Sequence, residues 1–518
     1  MTLLGALLNK GLKITRQIGE QDTVSPFELQ KKELKKLLKK ASNTKFGRAF
    51  NFDEIIPRFK DGDVENFYNY YKKRVPVSNY NKIFNEWWHR SKEGEADVCW
   101  PGVIKYFALS SGTSEASTKH IPLSKDIMKA NKRTSIRQIL TLSNYDLPPS
   151  LLEKGILMLG GSTDLQKYRT YYEGDLSGIQ ASKIPLWFNL FYKPGKKIAK
   201  NRDWNKKLEE ITLNAKNWDI GFIVGVPAWI QILMEKIVEH YKVKTIHDIW
   251  PNLMVFVHGG VSFDPYKKGF EKLMGRPITY IETYLASEGF VAFQVKPNRH
   301  SMKLVLNNGL FLEFIPFTED NFDSEGEVVA NPKTLMIHQV EEGVDYALLL
   351  TTCSGAWRYL IGDVIRFVSK AESEIIISGR TKHFLSLCGE HLSVENMNKA
   401  IQLVSEELNI SIKEFTVAGV PYDTLFAHKW FIGTDDAVDS VTLKEKLDEK
   451  LKVLNDDYKV ERSAALKEVI VNILPTSAFY KWMTLKGKEG GQNKFPRVMK
   501  KTLFEGWEEY LKKENYLK

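Results

Sequence analysis

The segment Phe107 to Ser124, FALSSGTSEASTKHIPLS, reads as a strand that runs into a loop of small and hydroxyl residues and ends at Lys119. Such a loop turns backbone N–H groups and hydroxyls toward an anion without side-chain bulk, and a lysine adds a point charge, so phosphate is a matching ligand. A Ser/Thr-rich surface turn would have the same composition. The chain contains no GxxxxGK[ST] sequence, which excludes the P-loop form of phosphate binding.

Four further segments carry chemistry of a related kind. In YIETYLASEGF, Tyr280 to Phe290, Tyr284 and Glu288 follow a predicted strand. An aromatic ring can stack on a base, and a carboxylate can hold the magnesium that accompanies ATP. Upstream, the apolar run LMVFV ends at His258-Gly259-Gly260, where glycine would let backbone approach a flat ligand such as adenine. In WRYLIGDVIRF, Trp357 to Phe367, Gly362-Asp363 sits between two β-like runs; an Asp at a tight turn can accept both hydroxyls of a ribose. Gly379-Arg380-Thr381-Lys382-His383-Phe384 forms a basic cluster, and GGQNKFPR places Lys494 in a glycine-rich loop near the end of the chain. Each has an ordinary alternative: Tyr284 as core, Glu288 as a surface carboxylate, Asp363 as a turn stabiliser.

The order of these elements resembles that of adenylate-forming enzymes: a Ser/Thr/Gly loop, a Gly-Gly turn, Tyr-x-x-Ser/Thr-Glu, Gly-Asp and Gly-Arg-x-Lys. Within that superfamily the chain is most similar to the auxin-responsive acyl-acid amido synthetases, the Gretchen Hagen three family, in its bacterial branch. SSGTSEASTK has the family's ten-residue loop, YLASEG its Tyr and Ser-Glu-Gly, WRYLIGD its Arg-Tyr and Gly-Asp, and GGQNKFPR its C-terminal Gln, Lys and Pro-Arg. The framing segments TKFGRAF, VPVSNY, VGVPAWIQILME and WPNL extend the resemblance over nearly the whole chain. It implies that Ser110, Ser111, Gly112, Thr113 and Lys119 contact phosphates and that Tyr284 and Gly260 lie beside adenine. Ser287 and Glu288 would serve the α-phosphate and Mg2+, Asp363 the ribose, and Arg380 the nucleotide. Lys382 would be the hinge of a rotating C-terminal domain, and Lys494 would approach the carboxylate and α-phosphate. One departure is Ala116, where many members have a second glycine.

The implied activity is ATP-dependent: a carboxylic acid is adenylated to acyl-AMP with release of pyrophosphate, and the acyl group passes to an amine, that of an amino acid. An acyl-CoA ligase with coenzyme A as acceptor shares the adenylating signature, and a non-catalytic nucleotide-binding protein is the rival of another class. Intact Lys119, Glu288, Asp363 and Lys494 argue against the latter.

Positioning these residues requires sheets between helices. From about residue 104, β-rich runs such as VIKYFALS, GILMLGG and LMVFVHGG alternate with helical stretches such as PAWIQILMEKIVEHY, an α/β pattern. Residues 302 to 379 read as short strands, predicting a second sheet or β-barrel-like subdomain. After a turn at Gly379-Arg380, a smaller α+β unit follows, with a helix near Ser393 to Leu408 and strands at EFTVAGV and KEVIVNIL. The predicted domains are therefore 1–381, an N-terminal adenylation domain, and 382–518, a mobile C-terminal lid. Residues 1 to about 95 read as mainly helical. There, Ser25-Pro26-Phe27-Glu28 supplies a helix start, and Phe27, Leu34, Leu38 and Ala41 share one face.

With 518 residues, the chain can bury a large core. Its net charge of +10 favours anionic ligands. The basic stretch KKELKKLLKK is accounted for as the solvated side of the helix after Ser25, and the cluster FYNYYKKR as aromatic packing, so no nucleic acid is called for. Three cysteines without metal or disulfide spacing fit a reducing, cytoplasmic setting. The first 19 residues read as an amphipathic lead-in helix, not a signal or membrane span. A monomer without a membrane partner is expected.

Overall fold

The computed structural model describes residues 24–60, 66–110, 119–184, 186–260, 263, 266–297, 299–323, 326–381, 384–385, 387–390, 392–486, 495–499 and 501–517. The lead-in helix expected over residues 1–19 lies outside these. Among the described residues, eleven strands pair into one sheet. Its hydrogen-bonded order is Leu310–Pro316, Asp345–Thr352, Tyr359–Ser369, Glu374–Arg380, Met302–Leu304, Gly289–Phe293, Thr279–Ala286, Val255–Gly259, Ile220–Gly225, Gly155–Met158 and Tyr192–Lys193. The end from Tyr192–Lys193 to Thr279–Ala286 is parallel. Its apolar runs suit strands covered by helices on both faces. The other end is antiparallel. The β-rich stretch 302–379 thus does not stand apart as a second sheet: Met302–Leu304 pairs with both Gly289–Phe293 and Glu374–Arg380 and carries the order through. A four-stranded sheet, ordered Lys119–Leu123, Tyr106–Ser110, Tyr172–Asp175, Gln166–Lys167, flanks the predicted phosphate loop.

The N-terminal helices cover the antiparallel end. The helix Pro26–Ala41 starts where the Ser25 hydroxyl accepts the Glu28 amide at 3.2 Å, as the cap sequence predicts. Leu34, Leu37, Leu38 and Ala41 are buried on one face, and most of its lysines are exposed. Two polar residues on the inner side meet the last strand. The Gln30 side chain donates to Leu306 O and Leu310 O and accepts from Leu312 N, at 2.7, 3.0 and 2.7 Å, and Glu33 accepts from Gly309 N. The FYNYYKKR cluster forms the helix Asn66–Arg74, with Phe67, Tyr68 and Tyr71 buried in the core rather than open for stacking.

One ion pair lies fully inside this junction. Arg358 Nε meets both oxygens of Glu313 at 3.0 and 3.2 Å, and the two side chains are 5% and 1% exposed. The remaining guanidinium donors reach Thr334 Oγ1 and the carbonyls of Lys72 and Val75, while Tyr68 donates to Glu313.

The C-terminal unit is a three-stranded sheet, Ile412–Tyr422, Leu425–Thr434 and Leu466–Leu474, backed by the helices Val394–Leu408 and Ser440–Leu454. Ser393 caps the first of these helices at Asn396 N. The apolar core of this unit is continuous with that around the helix Pro227–Tyr241 of the large unit. Cys99, Cys353 and Cys388 are buried and free. Among the described residues no helix is long and apolar enough to cross a membrane.

Breaking a buried pair leaves an uncompensated charge. Glu313→Leu should therefore destabilise the large unit by about 3–5 kcal/mol, read from its chemical denaturation midpoint. A loss below about 1 kcal/mol, the scale of an exposed pair, would mean that Arg358 is satisfied without Glu313.

Candidate active site

Most of the described residues singled out from the sequence converge beside the junction of the two sheets. Ser110 and Lys119 face each other as the last pair of two antiparallel strands, on either side of residues 111–118 in the sequence. Ser111, Gly112 and Thr113, together with Lys382 and Lys494, lie outside the described residues. Lys119 Nζ sits 5.5 Å from the centre of the Tyr80 ring, and the hydroxyl of Tyr80 accepts the amide of His120 at 2.8 Å.

YLASEG folds as a hairpin. Ala286 pairs with Gly289, so Ser287 and Glu288 are its two turn residues, with Ser287 half-buried. Glu288 turns inward, is 8% exposed and takes a hydrogen bond from the hydroxyl of Tyr359. Burial raises its carboxyl above the usual range; its own backbone amide and Lys119 pull the other way, and Asp363 adds to the rise.

Gly362-Asp363 and Gly379-Arg380 correct the sequence reading. Neither is a turn between strands. Gly362 and Asp363 belong to the continuous strand Tyr359–Ser369, at an irregularity where its register to Asp345–Thr352 shifts. Gly362 has φ +92°, a conformation that favours glycine, and a bulge of this kind re-aims the next side chain. Gly379 and Arg380 end the strand Glu374–Arg380, and Arg380 pairs with Asp363. Asp363 is consequently gripped from two sides. Tyr284 Oη donates to its Oδ2 at 2.5 Å, and Arg380 Nε donates to its Oδ1 at 2.7 Å. Burial, then the nearby Asp363 carboxylate, push the Tyr284 hydroxyl well up, so it stays a neutral donor. Tyr284 is itself only 5% exposed. Its visible role here is to hold Asp363 rather than to offer an open ring face.

Gly259 and Gly260 divide the work expected of the Gly-Gly pair. A Cβ on Gly259 would fall 2.4 Å from Thr283 O, so that glycine is needed for close strand packing. Gly260, at φ +86°, follows it and is exposed, with Val226 Cγ2 3.7 Å from where a Cβ would stand. The backbone of Gly260 is the part available to a ligand.

The arrangement offers two cations, Lys119 and Arg380, two carboxylates, Glu288 and Asp363, and an open glycine backbone. No group of three His, Cys, Asp or Glu residues able to hold a metal occurs among the described residues. A single buried carboxylate fits a magnesium that arrives on substrate phosphates and keeps several waters. Sequence reasoning missed Tyr359 and Tyr80 as site residues. Tyr359 had a usable signal, since it stands next to Arg358 in the same quoted motif; Tyr80 had none beyond its place in VPVSNY.

Comparisons with known proteins bear on the family. The chain matches the GH3 family N-terminal domain over residues 16–164, the central domain over 303–374 and the C-terminal domain over 395–502. It is 23% identical over 414 residues to the indole-3-acetic acid-amido synthetase GH3.2 of Arabidopsis thaliana, covering 67% of this chain and 72% of that one. It is 22% identical over 469 residues to the jasmonoyl–L-amino acid synthetase GH3.5 of Oryza sativa subsp. japonica, covering 75% and 77%. Among solved structures, the GH3.15 acyl acid amido synthetase superposes with a TM-score of 0.58 at 18% identity, over 97% of this chain and 96% of that one. A 2-hydroxyisobutyryl-CoA ligase in complex with 2-HIB-AMP and CoA gives 0.56 at 10% identity, over 94% and 92%. With all three family domains in order along the sequence, the chain belongs to the GH3 family.

Proposed function

We propose that the chain is an ATP-dependent acyl acid amido synthetase. The observation that carries this reading is the convergence of Lys119, Glu288 and the Asp363–Arg380 pair, from three distant stretches of sequence, on one site of two cations and two carboxylates. In the first half-reaction a substrate carboxylate oxygen attacks the α-phosphorus of ATP. The P–O bond to pyrophosphate breaks, and acyl-AMP remains. Loop amides, Lys119 and Lys494 meet the charge that grows on phosphate oxygens, which is electrostatic stabilisation rather than covalent catalysis. Asp363, fixed by Tyr284 and Arg380, receives the ribose hydroxyls on its remaining lone pairs. Magnesium, when bound with the nucleotide, supplies charge neutralisation next to Glu288.

In the second half-reaction an amine nitrogen attacks the acyl carbon, the C–O bond to AMP breaks, and the amine proton leaves to solvent. The C-terminal unit turns about Lys382 between the two halves. The substrates are an acyl acid and an amino acid, the classes named for the relatives. The same fold in a CoA ligase keeps coenzyme A as the second acceptor to test. The decisive measurement is pyrophosphate release with ATP and magnesium across aryl, indolyl and fatty acids, with amino acids, with coenzyme A and with neither. Turnover that needs an amino acid supports the proposal, and turnover that needs coenzyme A overturns the acceptor.

Three variants address single residues. Lys494→Ala should lower acid-dependent pyrophosphate release by about 10²–10³-fold, the scale of a lost transition-state donor, with ATP binding retained; unchanged turnover would remove Lys494 from the site. Glu288→Ala should raise the magnesium concentration for half-maximal release by about tenfold or more, the scale at which metal-site partners act. A normal titration would exclude its role. The raised Glu288 carboxyl also predicts a pH effect, since magnesium needs the carboxylate. Apparent magnesium affinity should fall as pH drops through that raised value, and Glu288→Gln should flatten the dependence.

A further inference from the structure

The C-terminal unit touches the large unit through a few directed contacts. The Trp229 indole N–H donates to Glu461 Oε1 at 3.2 Å, Gln231 Nε2 donates to Thr424 O at 2.9 Å, and Tyr266 Oη donates to Leu387 O at 2.5 Å. Tyr266 also packs on Phe426 at 5.2 Å. Trp229, Gln231 and Tyr266 belong to the large unit and their partners to the small one. Among these contacts the Trp229 one involves a carboxyl group, and both of its members are nearly dry, at 8% and 6% exposed.

The surroundings of Glu461 are acidic. Cys388 and Glu390 face it from the segment before the helix Val394–Leu408, Asp457 lies on its own helix, and Tyr266 and Trp229 face it from the large unit. Across the same interface Asp175 of the large unit sits near Asp457, with Lys207 beside Asp175. The nearby histidine is already used. His428 Nε2 is 2.8 Å from Glu390, which also accepts the Leu387 and Cys388 amides. Burial works to raise the Glu390 carboxyl, but these donors outweigh it and hold it at about 2. Glu390 keeps its charge, and Glu461 lies beside it with no cation of its own among the described residues. Burial first, and then Glu390, lift the Glu461 carboxyl well above the usual range.

We propose that Glu461 and Trp229 form a proton-gated latch: Glu461 enters the docked interface as the neutral acid, accepts the Trp229 N–H, and on ionising releases the C-terminal unit. The proposal rests on the reading that this unit turns between half-reactions, and it makes both residues positioning residues for that turn. Its sign is fixed by linkage. The carboxyl binds its proton more tightly when docked, so docking is favoured fully below the ordinary carboxylate value. It weakens as pH rises toward the raised docked value and levels off above it.

Double electron–electron resonance between spin labels at Leu213→Cys and Val453→Cys, both exposed positions, reads docking without substrates. The docked-to-undocked ratio should fall about tenfold per pH unit within that window, the response to a single proton. Glu461→Gln, an amide that keeps the acceptor and cannot ionise, should stay docked with no pH dependence. Glu461→Ala and Trp229→Phe should each lower the docked fraction at low pH. With substrates, Glu461→Gln and Trp229→Phe should shift the ratio of pyrophosphate exchange to amide formation in opposite directions. A pH-independent ratio in the parent, or Glu461→Gln behaving as Glu461→Ala, overturns the latch. Loss of adenylation with pH-gated docking intact would instead count against the proposed function.

Discussion

Taking the Glu313 carboxylate and the Arg358 guanidinium out of water costs several kcal/mol per ion, and the interior recovers it only if every remaining donor and acceptor is met. That requirement binds separate parts of the chain together. Arg358 sits at φ +44°, where few side chains are at ease, and gathers Glu313, Thr334 and the carbonyls of Lys72 and Val75 around one group. Next to it, Tyr359 opens the strand Tyr359–Ser369 and donates its hydroxyl to Glu288. A structural ion pair and a hydrogen bond of the candidate site thus sit on neighbouring residues.

The same economy governs Asp363. A bulge at Gly362 turns it, strand pairing brings Arg380 opposite, and a buried tyrosine closes the other side. The carboxylate is fixed before any ligand arrives, so binding need not also order it. Glu288 is the contrasting case. It is buried with less compensation, and burial leaves its carboxyl raised although its own backbone amide and Lys119 pull it down.

Much of this was legible in the sequence, and the reasons differ by element. Helix starts are local chemistry: Ser25 caps as its sequence predicts, and the helix expected near Ser393 begins there, on the Ser393 hydroxyl. Periodicity placed Leu34, Leu38 and Ala41 in the core. The order of the motifs carried the family, because five loosely informative segments rarely fall in sequence by chance. What failed was tertiary. Glycines at 362 and 379 read as turns because local propensity cannot distinguish a turn from a bulge or a strand end held by its neighbour. The joining of 302–379 to the large sheet depends on the short strand Met302–Leu304, three residues with no distinctive pattern of their own. Tyr80 and the Trp229–Glu461 contact were invisible for the same reason, since each depends on residues far apart in sequence.

The Gln30 amide lies against the outermost strand as one more strand would, giving and receiving main-chain bonds at Leu306, Leu310 and Leu312. A sheet edge whose N–H and C=O groups are left open is a template on which a second chain can add, the first step of fibril growth and of domain exchange. Here the Gln30 side chain counterfeits the missing neighbour at Leu310 and Leu312, and Leu335 pairs with Phe314 farther along the same edge. Part of the resistance to self-assembly at this edge is thus vested in the first described helix of the chain, Pro26–Ala41.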